Sequence, residues 1–210
     1  MRKVLCILAL ISHVLAQAPT QAERDAILKA HRCVRENVQP TASNMEMMGY
    51  SMSLEKLAID WVQRCLLERP NPNLYPQYRG TGQAISVVVD DNPNLVDIVQ
   101  GWYEEGKNYV FKNNTCEGIC DDYIQMVWAK STKLGCAVTC CDQTIPPRRK
   151  PVHIIACFYR RGAKWPDRKP YKAGPSCSRC PSGYECYRNQ CVMNSDPEIA
   201  EPCDDDELER

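Results

Sequence analysis

Cys120-Asp-Asp-Tyr-Ile-Gln-Met-Val-Trp128, with Leu134-Gly-Cys136 close behind it, is the stretch on which the fold turns. Its first part predicts a short helix over residues 122–130, and its second opens a strand at 134–138. A polar loop at 146–151, made of proline and basic residues, separates that strand from another at 152–159. Upstream, Thr20-Gln-Ala-Glu23 is a capping-box pattern. Ile27, Ala30, His31, Val34 and Val38 then share one helix face, which ends before Pro40. A second helix starts after Ser53, with Leu54, Leu57, Ala58, Trp61, Val62 and Cys65 at helical spacing, and stops at Pro70. Residues 84–89 read as a strand bounded by Asp90-Asp91-Asn92-Pro93, and that turn opens a third helix. Its apolar stripe is Leu95, Ile98, Val99, Trp102 and Tyr103. Helices precede and interleave with short strands and no parallel βαβ repeat occurs, so the class is α+β and layered.

The 210 residues carry 26 basic and 26 acidic side chains, so no global field draws the chain to nucleic acid. Arg2 and Lys3, an apolar run over residues 4–15, and the small Ala16 and Ala18 fit a signal peptide at 1–18. No apolar run reaches the ~20 residues of a membrane span. The expected location is therefore secreted, extracellular. Fourteen cysteines agree with an oxidising compartment. With Cys6 in the leader, thirteen remain, an odd number. Cys33, Cys65, Cys116, Cys120, Cys136, Cys140, Cys141 and Cys157 are expected to form disulfides in the main domain, 19–160. Cys177, Cys180, Cys186 and Cys191 are expected to form two more in the extension, 177–203. The same four could be read as a zinc knuckle, but outside the cell disulfides are the usual outcome. Cys203 is left as the candidate for a free cysteine or an intermolecular link that would join two copies. Residues 161–176, rich in proline and basic residues, read as a linker, and 204–210 as a solvated acidic tail.

Several stretches resemble the CAP superfamily, the cysteine-rich secretory, antigen-5 and pathogenesis-related proteins. Residues 39–45 resemble its first loop, Trp61-Val-Gln-Arg-Cys65 the end of its second helix, and Trp102-Tyr-Glu-Glu105 its third-helix motif. The opening stretch resembles the family signature, and Cys177-Ser-Arg-Cys180-Pro the hinge region of cysteine-rich secretory proteins. Order and spacing match from about Ala22 to Tyr159, and the venom allergen-like proteins of parasitic worms look nearest. The resemblance implies a three-layer α-β-α sandwich with a small disulfide-rich, hinge-like extension.

In that family a cleft holds two histidines and two glutamates able to bind a divalent cation. The matching positions here are Arg69, Gln83, Glu105 and Asp122, so one of the four is kept. A guanidinium repels a cation, and a neutral amide is a weak ligand. Arg69 is instead expected to pair with Glu105 and Asp122. No metal and no cofactor is implied. His31 and His153 read as structural histidines. No nucleophile elbow or phosphate loop is present. Glu105 and Asp122 could form a glycosidase-like acid pair, but a hydrogen-bonded polar cluster is the plainer reading, so the chain is expected not to be an enzyme.

The resemblance also implies binding of a sterol or fatty acid. A fatty acid would lie between the faces Ile27, Ala30, Val34 and Leu95, Ile98, Val99, which otherwise pack on the sheet. A sterol would lie near Trp102, Tyr103, Tyr109 and Phe111, whose flat rings offer broad contact. Asn113-Asn-Thr115 is a glycosylation sequon that puts this loop at the surface. The alternative is a protein-binding effector on an extracellular partner. Between residues 148 and 172 nine residues are basic and only Asp167 is acidic, a stretch that could meet an acidic glycan.

Overall fold

The structure, a computed structural model, describes residues 16–90, 93–148, 151–193 and 203. Thr20 caps α1 (Gln21–Glu36) in the predicted way. Its hydroxyl accepts from the Glu23 N–H at 3.3 Å, and the Glu23 carboxylate accepts from the Thr20 N–H at 2.6 Å. The short β1 (Gly49–Tyr50) leads into α2 (Met52–Val62), which Ser51 caps two residues earlier than the sequence suggested. β2 (Thr81–Val88) is followed by α3 (Leu95–Glu104), whose cap is Asn94 through its side chain. A small hairpin of β3 (Tyr109–Val110) and β4 (Thr115–Cys116) precedes α4 (Asp121–Met126). The long β5 (Lys133–Cys141) and β6 (Val152–Arg160) follow, then the hairpin β7 (Tyr184–Tyr187) and β8 (Gln190–Met193) of the extension.

The central sheet runs β1-β5-β6-β2, antiparallel except for the β1–β5 pair. β6 is buried along nearly its whole length because helices cover both faces. Ile154, Ala156 and Phe158 pack with Leu54, Ala58, Trp61 and Val62 of α2. The alternate residues Ile155, Cys157 and Tyr159 pack with Ile27 and Val34 of α1, Val99 and Trp102 of α3, and Met126 of α4. That period of two places one helix layer on each side, the three-layer α-β-α sandwich. Gly135 allows the close approach of α2. A Cβ there would lie 2.2 Å from the Glu55 backbone nitrogen and 2.5 Å from the Ser51 carbonyl oxygen.

α4 is shorter than the predicted 122–130, for a reason that lies in α1. The fully buried Arg35 donates to the carbonyls of Met126, Trp128, Ala129 and Ser131, and to that of Glu46, at 2.6–3.3 Å. With these carbonyls turned towards the guanidinium, the chain leaves the helix after Met126 and goes on in turns.

Cys203 corrects an expectation. It is neither free nor intermolecular but is bonded to Cys33 on α1, across a sequence separation of 170. The last turn of α1 holds the extension in place. Arg188 pairs with Glu36 at 2.9 Å, Asn189 donates to the Glu36 carbonyl, and Gln190 donates to that of Arg32. Cys203 therefore sits at α1 and is not available to join two copies. The other pairs are Cys65–Cys141, Cys116–Cys120, Cys136–Cys157, Cys177–Cys186 and Cys180–Cys191. Cys140 is disulfide-bonded as well.

The stretch 161–176 lies against the domain. Pro170 and Lys172 accept backbone hydrogen bonds from Ala129 and Ser43, and Tyr171 is buried. Of the expected leader, residues 1–15 lie outside the described residues, as does the tail 204–210, while Gln17 makes an antiparallel bridge to Val138.

Candidate functional site

Four elements bring the family's cleft positions together. Arg69 stands in the loop after α2, Gln83 on β2, Glu105 just past α3, and Asp122 in the first turn of α4. The Arg69 guanidinium donates through Nη2 to Asp122 Oδ1 at 2.7 Å and through Nη1 to the Gln83 carbonyl at 2.8 Å. Glu105 does not hydrogen-bond Arg69. Its carboxylate accepts from the backbone N–H groups of Asp122 at 3.1 Å and Tyr123 at 3.3 Å, which caps the otherwise uncapped α4. Burial lifts the Asp122 carboxyl to about 7, with Arg69 pulling it down and Glu105 pushing it up. Burial also raises Glu105, against the two N–H donors that favour its charged form.

Beside this network lies a cleft of about 250 Å³ lined by Arg69, Gln83, Asp121, Gln125 and Trp165, with glycines 82 and 162. Gln125 holds its back wall, donating to Ser131 Oγ at 2.8 Å and accepting from the Ala163 N–H at 2.8 Å. Gly82 is required at that wall, since a Cβ there would sit 1.9 Å from the Gln125 amide oxygen. Gln83 Oε1 and Trp165 Nε1 are buried without a hydrogen-bond partner. Gln125 stands inside the opening stretch and Trp165 in the basic one, but neither has a periodicity that marks it. Only the fold brings them to one wall.

A divalent cation does not fit here. It would have to displace a guanidinium from Asp122, and Glu105 is held by α4. Among the described residues the one other cluster of potential ligands is Cys177, Cys180 and Cys191, and their sulfurs are in disulfides. His31 is fully buried. Its Nδ1–H donates to the Ile27 carbonyl and its Nε2 accepts from the Tyr159 hydroxyl, both at 2.8 Å. Burial depresses it to about 4. His153 is buried on β6.

The residues read as lipid-contacting fall into two groups. Ile27, Val34, Leu95, Val99 and Trp102 are buried in the core, and Ala30, Ile98, Tyr103 and Phe111 lie half-buried against it. Tyr109 and Phe111 meet edge to face at 6.3 Å, Tyr109 lies 6.2 Å from Tyr123, and Phe111 stacks on Tyr171 at 4.6 Å. The sequence reading missed Tyr171 because it belongs to the stretch read as a linker. Asn113 is exposed in the turn joining β3 to β4.

The Cysteine-rich secretory protein family, CAP, matches residues 24–157. The chain belongs to the CAP family. Peptidase inhibitor 15-A of Danio rerio is 36% identical over 82% of this chain and 70% of its own length. The R3HDML peptidase inhibitor of Mus musculus is 34% identical over 80% and 71%. Mouse peptidase inhibitor 16 is 29% identical, and this chain spans 36% of it. Among solved CAP structures, the venom allergen-like protein 4 of Schistosoma mansoni superposes with TM-score 0.60 at 27% identity, covering 74% of this chain and 97% of that one. A hookworm platelet inhibitor shares the fold at TM-score 0.65 and 22% identity, covering 84% and 93%. None of these is named as an enzyme. No helix among the described residues is long and apolar enough to cross a membrane.

Proposed function

We propose that this CAP protein is secreted and works by binding rather than catalysis, with a sterol or fatty acid as its ligand. The observation that carries the reading is the aromatic row Tyr123, Tyr109, Phe111 and Tyr171, of which Phe111 and Tyr123 pack half-buried against the same apolar core as Ala30, Ile98 and Tyr103. Flat rings at the margin of an apolar core suit a flat sterol or an acyl chain, and each methylene removed from water contributes about 0.8 kcal/mol. The cleft supports the non-catalytic half of the reading. Glu105 and Asp122, the two acids at the family's cleft positions, are held in structural hydrogen bonds, and a permanent cation pairs with Asp122. Delipidated protein titrated with fluorescent sterol and with labelled palmitate should show saturable binding of at least one. Phe111→Ala should weaken sterol binding. Absence of saturable binding for both ligands refutes the proposal.

A second reading, a protein-directed effector, is supported by the names of the relatives at 34–36% identity, which are peptidase inhibitors. A panel of serine and cysteine peptidases titrated with purified protein tests it. Stoichiometric inhibition of one of them would favour this reading over the first.

A further inference from the structure

Lys133 opens β5 and Arg160 closes β6, and the antiparallel register sets the two cations directly opposite each other. Like charges facing across a ladder repel, so local stability does not account for the pair. Thr81 of β2 completes the row on the far side of Arg160. Two residues before it comes Arg79, and the Gly80 carbonyl between them accepts from the Gly162 N–H at 3.1 Å. That bond draws Arg161 and Lys164 to the same end of the sheet. All five cations are exposed, and none makes an ion pair among the described residues. Of the nearby acids, Glu46 and Asp122 are held by Lys130 and Arg69, and Asp121 is exposed on the cleft. Beside the cluster opens the cleft, which Gly162 and Trp165 help to line.

We propose that this end of the sheet, Arg79, Lys133, Arg160, Arg161 and Lys164, is the docking surface for a sulfated polysaccharide. The strands set the bases of Lys133 and Arg160 about 5 Å apart in a straight row, on a scaffold too rigid to adapt. A linear polymer carrying repeated sulfates matches a row of cations whose backbone positions the strands fix. A membrane surface fits less well. None of the large exposed apolar residues lies in segments 79–82, 130–133 or 160–165, so nothing here would enter the acyl region. None of the five cations belongs to the aromatic row of the lipid site.

The test is binding of the full chain to immobilised heparin at 0.15 M NaCl. The wild type should be retained, should elute earlier as salt screens the contacts, and should behave the same after delipidation. Lys133→Thr with Arg160→Thr should weaken binding at least ten-fold, with the melting temperature unchanged or raised because a repulsion is relieved. The charge-matched pair Lys56→Gln with Lys107→Gln, away from this end, should cost less than two-fold. Flow-through of the wild type, or equal losses in the two double variants, overturns the proposal. Capture by phosphatidylserine vesicles as tight as capture by heparin, and lost in the same variant, assigns the surface to a membrane and overturns it too.

Discussion

Arg69→Ala is expected to cost more stability at pH 8 than at pH 5. Burial holds the Asp122 carboxyl at about 7 in the folded chain, above its ordinary value. The stability linked to that raised carboxyl is therefore full below the usual carboxylate range and is lost as pH climbs to about 7. At pH 5 Asp122 is protonated with or without Arg69. The substitution then removes two hydrogen bonds, to Asp122 and to the Gln83 carbonyl, worth about 1 kcal/mol each. At pH 8 the native chain ionises Asp122 against the guanidinium. The variant must bury an unpaired charge, which is dearer, or keep the proton above the native titration point. Keeping it costs about 1.4 kcal/mol per pH unit, so ΔΔG at pH 8 should exceed that at pH 5 by about 1.4 kcal/mol. That figure is a ceiling, because the Arg69 side chain is 40% exposed and water screens part of the attraction. Urea unfolding followed by tryptophan fluorescence at the two pH values, with disulfides intact, measures it. A ΔΔG equal at both would mean that Asp122 does not titrate between them, and the reasoning would fail.

Three further outcomes follow from the same geometry. His31, depressed to about 4 by burial, stays neutral in the folded chain while the unfolded chain takes a proton below about 6.5. It should therefore withdraw up to about 3 kcal/mol as pH falls from 6.5 to 4, opposite in sign to Asp122. His31→Gln should lose that slope in a stability–pH profile, and an unaltered slope counts against a neutral buried imidazole. Arg35→Met leaves five carbonyls without their buried donor and should cost at least about 3 kcal/mol by chemical denaturation; a loss below about 1 kcal/mol contradicts the clamp. Cys33→Ser with Cys203→Ser should cost roughly 2–5 kcal/mol and should speed proteolysis after residue 176. An unchanged cleavage pattern would show that the hydrogen bonds to α1 hold the extension unaided.

The helices, the long strands and the family were legible in the chain because they rest on local signals. The Thr20–Glu23 box, the 3.6-residue stripe of α1 and the period of two in β6 each concern residues within a few positions of one another. The four cleft positions could also be named, because the family motifs number them. Tertiary structure decided what those residues do. Glu105 turned away from Arg69 to cap α4, and the end of α4 was set by Arg35 from ninety residues upstream. Cys203 found Cys33 because the extension docks on α1, whereas parity counting left Cys203 either free or linked to a second copy. Lys133 and Arg160 became neighbours only through strand register. Local backbone preference repeats along the chain and can be read from it. Ion pairs, disulfides and charge clusters depend on distances between segments, which only packing sets.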